Sequence, residues 1–186
     1  MLLSMEISTE RRTEIRQIAD FILENKIKNI VFVCTHNSRR SQFCQVAFAA
    51  ASQGLGYGSF SAGTEVTRVY KSVISTLENI GFGIESNELT DNPVISITQE
   101  PDNTELCSLW SKTWDDSSIA KEETLAIMTC SDAEENCPYI PFAKGRVPLR
   151  YEDPKYSDGT EKEEKVYADK FNEIYAEIKL LVDFIA

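Results

Sequence analysis

The sequence contains no long hydrophobic run, and this absence excludes one class of protein. No stretch of the 186 residues approaches the roughly 18 apolar residues that a helix needs to cross a bilayer. The N-terminal residues 1–6 form a segment that is too short, and charged too early, for a secretory signal. We therefore expect a cytoplasmic protein with no membrane partner.

Positive charge is also scarce. Only 19 lysines and arginines accompany 30 aspartates and glutamates, which leaves a net charge of −11 at pH 7. Surfaces that bind nucleic acid are basic because they neutralise phosphates, so this composition argues against DNA or RNA as a partner. An anionic ligand must be attracted by a local site, against the field of the whole protein. Hydrophobic residues make up 42% of the chain and charged residues 26%, as is typical of globular domains.

The sequence lacks the residues that a disulfide framework or a zinc site needs. Five cysteines are an odd number, without the dense spacing of secreted domains, so we expect free thiols in a reducing compartment. The chain has one histidine, His36, and no closely spaced Cys-x-x-Cys pair, which makes a zinc site a weak interpretation. We expect neither a metal nor a cofactor.

Helical and strand patterns alternate along most of the chain. The patterns predict helices over 8–26, 41–52, 70–80 and 162–185, and strands over 28–33, 59–63, 124–129 and 146–149. This alternation indicates an α/β single domain with a central, mostly parallel four-stranded sheet flanked by helices. We interpret residues 1–27 as an N-terminal helical extension and residues 28–186 as the main domain.

The middle of the chain is less regular. Residues 94–98 alternate apolar and small polar side chains, which predicts an additional strand at a sheet edge. Residues 99–123 are polar and irregular, and we interpret them as an insertion. The apolar residues that could form one or two amphipathic turns there are Leu106, Leu109, Trp110 and Trp114.

One stretch has the pattern of a reactive site. The apolar run 31–33 leads into Cys34, and Arg40 follows six residues later. A buried strand that ends in a thiol and then opens a helix directs backbone N–H groups into an anion-binding concavity. These groups favour a thiolate, since a free cysteine with a pKa of about 8.5 is only about 3% ionised at pH 7. We interpret Cys34 as a nucleophile and Arg40 as the fork that grips a tetrahedral oxyanion.

Neighbouring residues can support this chemistry. Ser41 could bond to the thiolate, and Asn37 could hold the loop through its side-chain amide. Because ligands bind outside the carboxyl ends of parallel strands, Cys34, Cys130 and Asp153 could meet at one edge of the sheet. The alternative interpretation is that Cys34 is a buried structural thiol, as we expect for Cys44.

The segment 34–41, CTHNSRRS, resembles the phosphate-binding loop of the low-molecular-weight protein tyrosine phosphatases. It equally resembles the loop of the thioredoxin-coupled arsenate reductases that share their fold, and the resemblance extends from about residue 28 to the C-terminus. It implies that Cys34 is the nucleophile, that Arg40 binds the oxyanion and that Asp153, followed by proline, is the general acid. The loop residues implied to bind substrate are Thr35, His36, Asn37, Ser38, Arg39 and Ser41.

Two loop residues depart from the family pattern. His36 stands where glycine is usual and would need a backbone φ that is uncommon, although tolerable, for histidine. Two positions are possible for its side chain, which could contact the substrate or face solvent. Arg39 stands where a second cysteine is frequent, and we expect it to add positive charge at the mouth of the loop.

A second pair of cysteines distinguishes two activities within this family. Cys130 and Cys137 follow a predicted strand and resemble the redox pair of the arsenate reductases, which phosphatases of this fold do not need. In the resembled mechanism Cys34 attacks arsenate, Cys130 attacks Cys34 and releases arsenite, and Cys137 takes over the disulfide for thioredoxin to reduce. A helical segment 130–137 would hold its ends about 10 Å apart, which exceeds the reach of a disulfide, so it must rearrange during turnover.

The sequence therefore predicts an arsenate reductase that acts on arsenate, uses thioredoxin as reductant and is a monomer. The alternative is a phosphatase for phosphotyrosine or small phosphate monoesters, which would form a phosphoenzyme at Cys34 and use Asp153 as general acid. Tyr156 could then line the mouth for an aromatic substrate. The third interpretation is a non-catalytic anion-binding or redox-sensing module, which the unusual His36 and Arg39 leave open. For the cysteine pair itself, the alternative is that Cys130 and Cys137 are two unconnected structural thiols.

Overall fold

The computed structural model describes residues 6–86, 89–99, 101, 103–131 and 139–186. The helices in these ranges are α1 (Thr9–Glu24), α2 (Arg40–Ala51), α3 (Lys71–Asn79) and α4 (Glu163–Ile185). The strands are β1 (Asn29–Cys34), β2 (Gly58–Gly63), β3 (Phe82–Glu85), β4 (Ile95–Gln99), β5 (Thr104–Leu109), β6 (Thr124–Met128) and β7 (Ala143–Pro148). A short 3₁₀ helix, Pro154–Ser157, lies between β7 and α4.

The main sheet is parallel, with the strand order β2-β1-β6-β7. Its two central strands, β1 and β6, are almost completely buried, as expected for parallel strands covered on both faces. Ile30 and Phe32 of β1 belong to the larger core with the helices, whereas Val31 and Val33 belong to a smaller core on the other face. The α/β fold with a mostly parallel four-stranded sheet is confirmed.

Strands β3, β4 and β5 form a second, antiparallel sheet. The additional strand predicted over residues 94–98 is present as β4, but its predicted position at a sheet edge is wrong, because β4 is the central strand of this sheet. The amphipathic turns predicted around Leu106 and Leu109 are also wrong, because these residues lie in β5. Ile97 and Leu109 are completely buried in the larger core, so tertiary packing determines the structure of a segment whose polar composition suggested irregular chain.

Helix α1 packs within the same core as the main sheet. The side chain of Ser8 caps the helix by accepting a hydrogen bond from the backbone N–H of Arg11. Four apolar residues of its inner face are buried: Ile15, Ile18, Ala19 and Ile22. The guanidinium of Arg11 also pairs with Glu177 of α4 at 2.8 Å. Over the ranges that the structure covers, no helix is both long and apolar enough to span a lipid bilayer.

Candidate active site

The loop between β1 and α2 contains one left-handed residue. Asn37 adopts a φ of 46°, and His36 is not among the residues with positive φ. The prediction of an uncommon φ at His36 is therefore wrong, because the tight turn falls one residue later. Asparagine enters the left-handed region at lower cost than most residues with a side chain, so Asn37 absorbs the conformation that would otherwise favour glycine.

The side chain of Asn37 connects the loop to the cysteine. Its Nδ2 donates to Ser41 Oγ at 2.8 Å, and Ser41 Oγ lies 3.1 Å from Cys34 Sγ. Because the amide already occupies one lone pair of the hydroxyl, the hydroxyl hydrogen is available for the sulfur. The amide oxygen of Asn37, Oδ1, accepts from the backbone N–H of Lys112 at 2.9 Å. This chain of hydrogen bonds can direct an O–H donor at a thiolate on the almost fully buried Cys34.

Gly63 allows the loop to pack against the end of β2. It pairs in register with Cys34, and a Cβ at this position would lie 2.7 Å from the carbonyl oxygen of Thr35 and 2.8 Å from the backbone nitrogen of Asn37. Both atoms belong to the loop backbone, so any side chain would displace the loop. The sequence analysis missed this residue, although a glycine at the end of a predicted strand is a signal of close backbone approach.

Arg40 and Asp153 form an ion pair beside Cys34. Arg40 Nη2 donates to Asp153 Oδ2 at 2.5 Å, and Nη1 donates to the carbonyl of Tyr151 at 3.2 Å. Within the part of the chain that the structure describes, no acceptor reaches the buried Nε of Arg40. A buried donor without a partner is costly, and an oxyanion oxygen would satisfy it. The second carboxylate oxygen of Asp153 caps the 3₁₀ helix by accepting from the N–H of Lys155.

A small cavity brings together most of the residues predicted for the site. The residues that line it are Cys34, His36, Ser38, Arg39, Arg40 and Asp153. The imidazole of His36 is 47% exposed, and its Nε2 lies 3.6 Å from a carboxylate oxygen of Glu65. The carbonyl of His36 accepts hydrogen bonds from Ser111 and Thr67. The backbone of His36 is therefore fixed at the rim, while its side chain faces both the cavity and solvent.

The guanidinium of Arg39 contacts three neighbouring side chains. Nε donates to the hydroxyl of Tyr167 at 2.6 Å, and Nη2 donates to Asp158 at 2.5 Å. The same group lies 4.0 Å from the centre of the Tyr70 ring. The positive charge predicted at the mouth is thus paired with Asp158, and Arg39 braces the loop against α4. Sequence spacing gave no indication of this network, because Asp158 and Tyr167 are more than 100 residues from Arg39 in the sequence.

Replacing Arg39 with alanine is expected to lower the free energy of unfolding by about 2–3 kcal/mol, because the largely buried Asp158 and Tyr167 lose a charged partner. Urea denaturation followed by circular dichroism measures this change. Arg68 provides the matched control, since it is 65% exposed and lies 3.9 Å from Asp91, so Arg68→Ala should cost about 0.5 kcal/mol or less. Equal stabilities of the two variants would contradict the bracing role.

Cys130 lies next to the loop, at the end of the strand that neighbours β1. Thr129 donates to the carbonyl of Val33 through its backbone N–H at 2.8 Å and through its hydroxyl at 3.0 Å. These two hydrogen bonds hold the end of this strand beside the loop, where Cys130 lies next to Thr35. The Oγ1 of Thr35 is 3.8 Å from Cys130 Sγ. Cys130 is only 2% exposed and shares the smaller core with Cys34. Cys137 lies outside the described residues.

Cys44 and Cys107 are the other free cysteines of the described ranges. Cys44 is completely buried in the larger core, as predicted, and burial raises the pKa of its thiol well above the ordinary value. Burial also raises the pKa of Cys107 to about 12. Both therefore stay protonated at neutral pH and are poor nucleophiles.

Lys112, which the sequence analysis did not select, supports the loop from behind. Besides its N–H bond to Asn37, its carbonyl accepts from the N–H of Gly63 at 2.8 Å. The residue is 2% exposed, and burial lowers the pKa of its ammonium to about 8, against the opposing influence of Asp116 and Cys107. A buried lysine directly behind the loop is therefore both a structural contact and a titrating group.

The titration of Lys112 predicts a pH dependence of stability. The folded protein releases this proton near pH 8, whereas the unfolded chain holds it to about 10.5, so the stability contribution is lowest below pH 8 and rises between these values. We expect the difference in unfolding free energy between wild type and Lys112→Met to rise by up to about 3 kcal/mol across this window. Chemical denaturation of both proteins at several pH values measures it, and a flat difference would contradict the assignment.

The chain is similar in sequence to known proteins over most of its length. No protein-family model matches it. Among curated proteins, it is 30% identical over 141 residues to the arsenate reductase of Bacillus subtilis strain 168, which covers 76% of this chain and 83% of that protein. It is 31% identical over 132 residues to the arsenate reductase of Brevibacillus brevis, which covers 71% of this chain and 80% of that protein.

Solved structures show the same fold. The structure of arsenate reductase from Archaeoglobus fulgidus matches with a TM-score of 0.53 and 24% identity, over 83% of this chain and 98% of that one. The low-molecular-weight protein tyrosine phosphatase from T. tengcongensis matches with a TM-score of 0.56 and 18% identity, over 83% of this chain and 97% of that one. The sequence relatives show that the chain belongs to the arsenate reductase family, and the solved structures show that it shares its fold with a low-molecular-weight protein tyrosine phosphatase.

Proposed function

We propose that this protein reduces arsenate to arsenite, with Cys34 as nucleophile and Cys130 and Cys137 as a disulfide relay. The observation that carries the proposal is the position of Cys130, whose sulfur lies 3.8 Å from the hydroxyl of Thr35, the residue next to Cys34. A phosphatase has no use for a second thiol at this place. The names of the curated relatives, which are arsenate reductases, support the same substrate.

In the first proposed step, arsenate enters the cavity of Cys34 and Arg40. The loop N–H groups and the Arg40 fork hold its oxygens, with the unpaired Nε of Arg40 as one donor. The Cys34 sulfur forms a bond to arsenic(V), and one arsenate oxygen leaves as water after it is protonated. Asp153, which lines the cavity, is placed to supply a proton when it is itself protonated.

In the second proposed step, the Cys130 thiolate attacks the Cys34 sulfur. A disulfide forms between Cys34 and Cys130, the sulfur–arsenic bond breaks, and its electron pair stays on arsenic, which leaves as arsenite. The Thr35 hydroxyl beside Cys130 can donate a hydrogen bond to the thiolate. Cys137 then attacks Cys130, which frees Cys34, and the dithiol of thioredoxin reduces the new disulfide by exchange.

The experiment that tests this function is an arsenate assay coupled to thioredoxin, thioredoxin reductase and NADPH. We expect NADPH oxidation that depends on arsenate and matches arsenite release mole for mole. Alkylation after a single arsenate turnover without thioredoxin, followed by peptide mass mapping, should find Cys130 and Cys137 protected and Cys34 free. Absence of arsenite would overturn the proposal, and full turnover by Cys137→Ser would exclude the three-cysteine relay.

The alternative function is hydrolysis of phosphate monoesters through a Cys34 phosphoenzyme. The contact that favours it is the ion pair of Asp153 with Arg40, which places a carboxyl at the oxyanion cavity, where a general acid must act. Hydrolysis of an aryl phosphate at rates well above arsenate reduction, lost in Asp153→Ala but unaffected in Cys130→Ser, would support the alternative.

A further inference from the structure

A second cavity, of about 370 Å³, lies behind the loop, between β2, β5 and the segment that follows β5. Aromatic and apolar side chains form much of its wall, among them Tyr57, Phe60, Leu106 and Trp110. Its volume is within the range of pockets that hold small organic ligands, about 300–1,000 Å³. The cavity is separate from the one that contains Cys34, since no residue lines both.

Among the described residues that line this cavity, Lys112 supplies the only formal charge. No aspartate or glutamate is part of the lining, which is unusual in a protein with a net charge of −11. The wall therefore has the composition that accommodates an anion: one cation, neutral polar groups and aromatic rings. We call this space the Lys112 cavity.

The ammonium of Lys112 has few partners for a buried charge. Its Nζ lies 3.9 Å from the centre of the Trp110 ring and 3.4 Å from the carbonyl oxygen of the same residue. Asp116 is the nearby acid, but its Oδ1 already accepts from the N–H and the hydroxyl of Ser118. An ammonium has three N–H donors, and a buried cation with weak partners gains most from an anionic ligand.

We propose that the Lys112 cavity binds a small aromatic carboxylate. The carboxylate pairs with the ammonium of Lys112, and the ring of the ligand packs against Phe60 and Trp110. An inorganic oxyanion would leave these aromatic walls without contact, whereas a neutral aromatic compound would leave the ammonium unpaired. The proposal concerns a site apart from the oxyanion loop and does not depend on the reaction at Cys34.

The Lys112 cavity is linked to the oxyanion loop through the backbone. The N–H of Lys112 bonds to Asn37, which bonds to Ser41 beside Cys34. The carbonyl of Trp110 accepts from Gln42 Nε2 at 3.0 Å, and the same amide donates to the carbonyl of Asn37. Lys112 and Trp110 therefore contribute both to the wall of this cavity and to the support of the loop.

The test is an amide NMR titration of the uniformly ¹⁵N-labelled full chain with benzoate, in phosphate-free buffer at pH 7. Benzamide serves as the neutral probe of the same shape. We expect benzoate to shift the signals of Trp110 and Lys112 with a Kd of about 1 mM, as is reasonable for a ligand of this size, and benzamide to bind at least tenfold more weakly. Added phosphate should not displace benzoate.

Two variants complete the test. Lys112→Met should weaken benzoate binding at least tenfold, whereas Lys121→Met, at an exposed lysine of the same segment, should leave it unchanged. Equal binding of benzamide, displacement by phosphate or full binding by a folded Lys112→Met protein would each overturn the proposal. Should Lys112→Met fail to fold, the comparison of benzoate with benzamide on the wild-type protein decides the matter.

Discussion

Replacing Cys130 with serine is expected to lower the rate of arsenite formation by about 10³-fold or more, while aryl phosphate hydrolysis stays within about twofold of wild type. The first reaction needs an intramolecular thiol, whose effective concentration beside Cys34 far exceeds that of any thiol in solution. The second needs only the loop and a proton donor. Parallel steady-state assays with arsenate and with an aryl phosphate measure the two rates on the same preparation.

Cys107→Ser provides the matched control for this experiment. Cys107, like Cys130, is in no disulfide, but burial raises its pKa to about 12, and it lies in β5 of the antiparallel sheet rather than in the parallel sheet. We expect this variant to keep both activities. If Cys130→Ser lost both activities together, Cys130 would be a packing residue of the smaller core rather than a redox thiol.

Replacing Arg40 with lysine is expected to lower kcat/KM for either oxyanion by about 10²- to 10³-fold. Lysine can keep the ion pair with Asp153, so the fold should persist, but it cannot offer two parallel N–H donors to a tetrahedral anion. Initial rates over a range of substrate concentrations, together with a thermal unfolding curve, separate the loss of activity from any loss of stability.

The neighbouring arginine gives an unusually close control. Arg39 lines the same cavity, but its guanidinium is bound by Tyr167 and Asp158, so Arg39→Lys removes at least one of these bonds and leaves the Arg40 fork in place. We expect its kcat/KM to stay within about threefold of wild type while its Tm falls by several degrees. Equal losses of activity in the two variants would mean that the loop depends on both arginines for its shape and that Arg40 has no special role toward the oxyanion.

The parts of the molecule that were predictable share one property, which is that the necessary signal is local. Strands β1 and β6 are continuous apolar runs, and a run of this kind can be recognised without knowledge of its neighbours. The loop from Cys34 to Arg40 was recognisable for the same reason, because the strand end, the turn and the helix start are consecutive in the chain.

The features that were missed depend on contacts between distant segments. Strand β5 owes its place to the burial of Leu109 against the helices, which outweighs the polar character of the surrounding residues. Lys112 and Gly63 matter because they touch the loop, and neither has a motif of its own. The bonds of Arg39 to Tyr167 and Asp158 likewise arise only when α4 packs beside the loop.

The two adjacent arginines have a consequence for how an oxyanion enters. They hold the two flanks of one short segment, Arg40 at Asp153 and Arg39 at Asp158. If the proposed oxyanion is to take Nη2 of Arg40 in addition to the free Nε, the carboxylate of Asp153 has to leave Nη2, while the pairing of Arg39 with Asp158 still holds the neighbouring residue. Asp153 thus acts as a built-in competitor of the substrate. The apparent affinity for the anion is then reduced by the fraction of molecules in which Arg40 remains occupied.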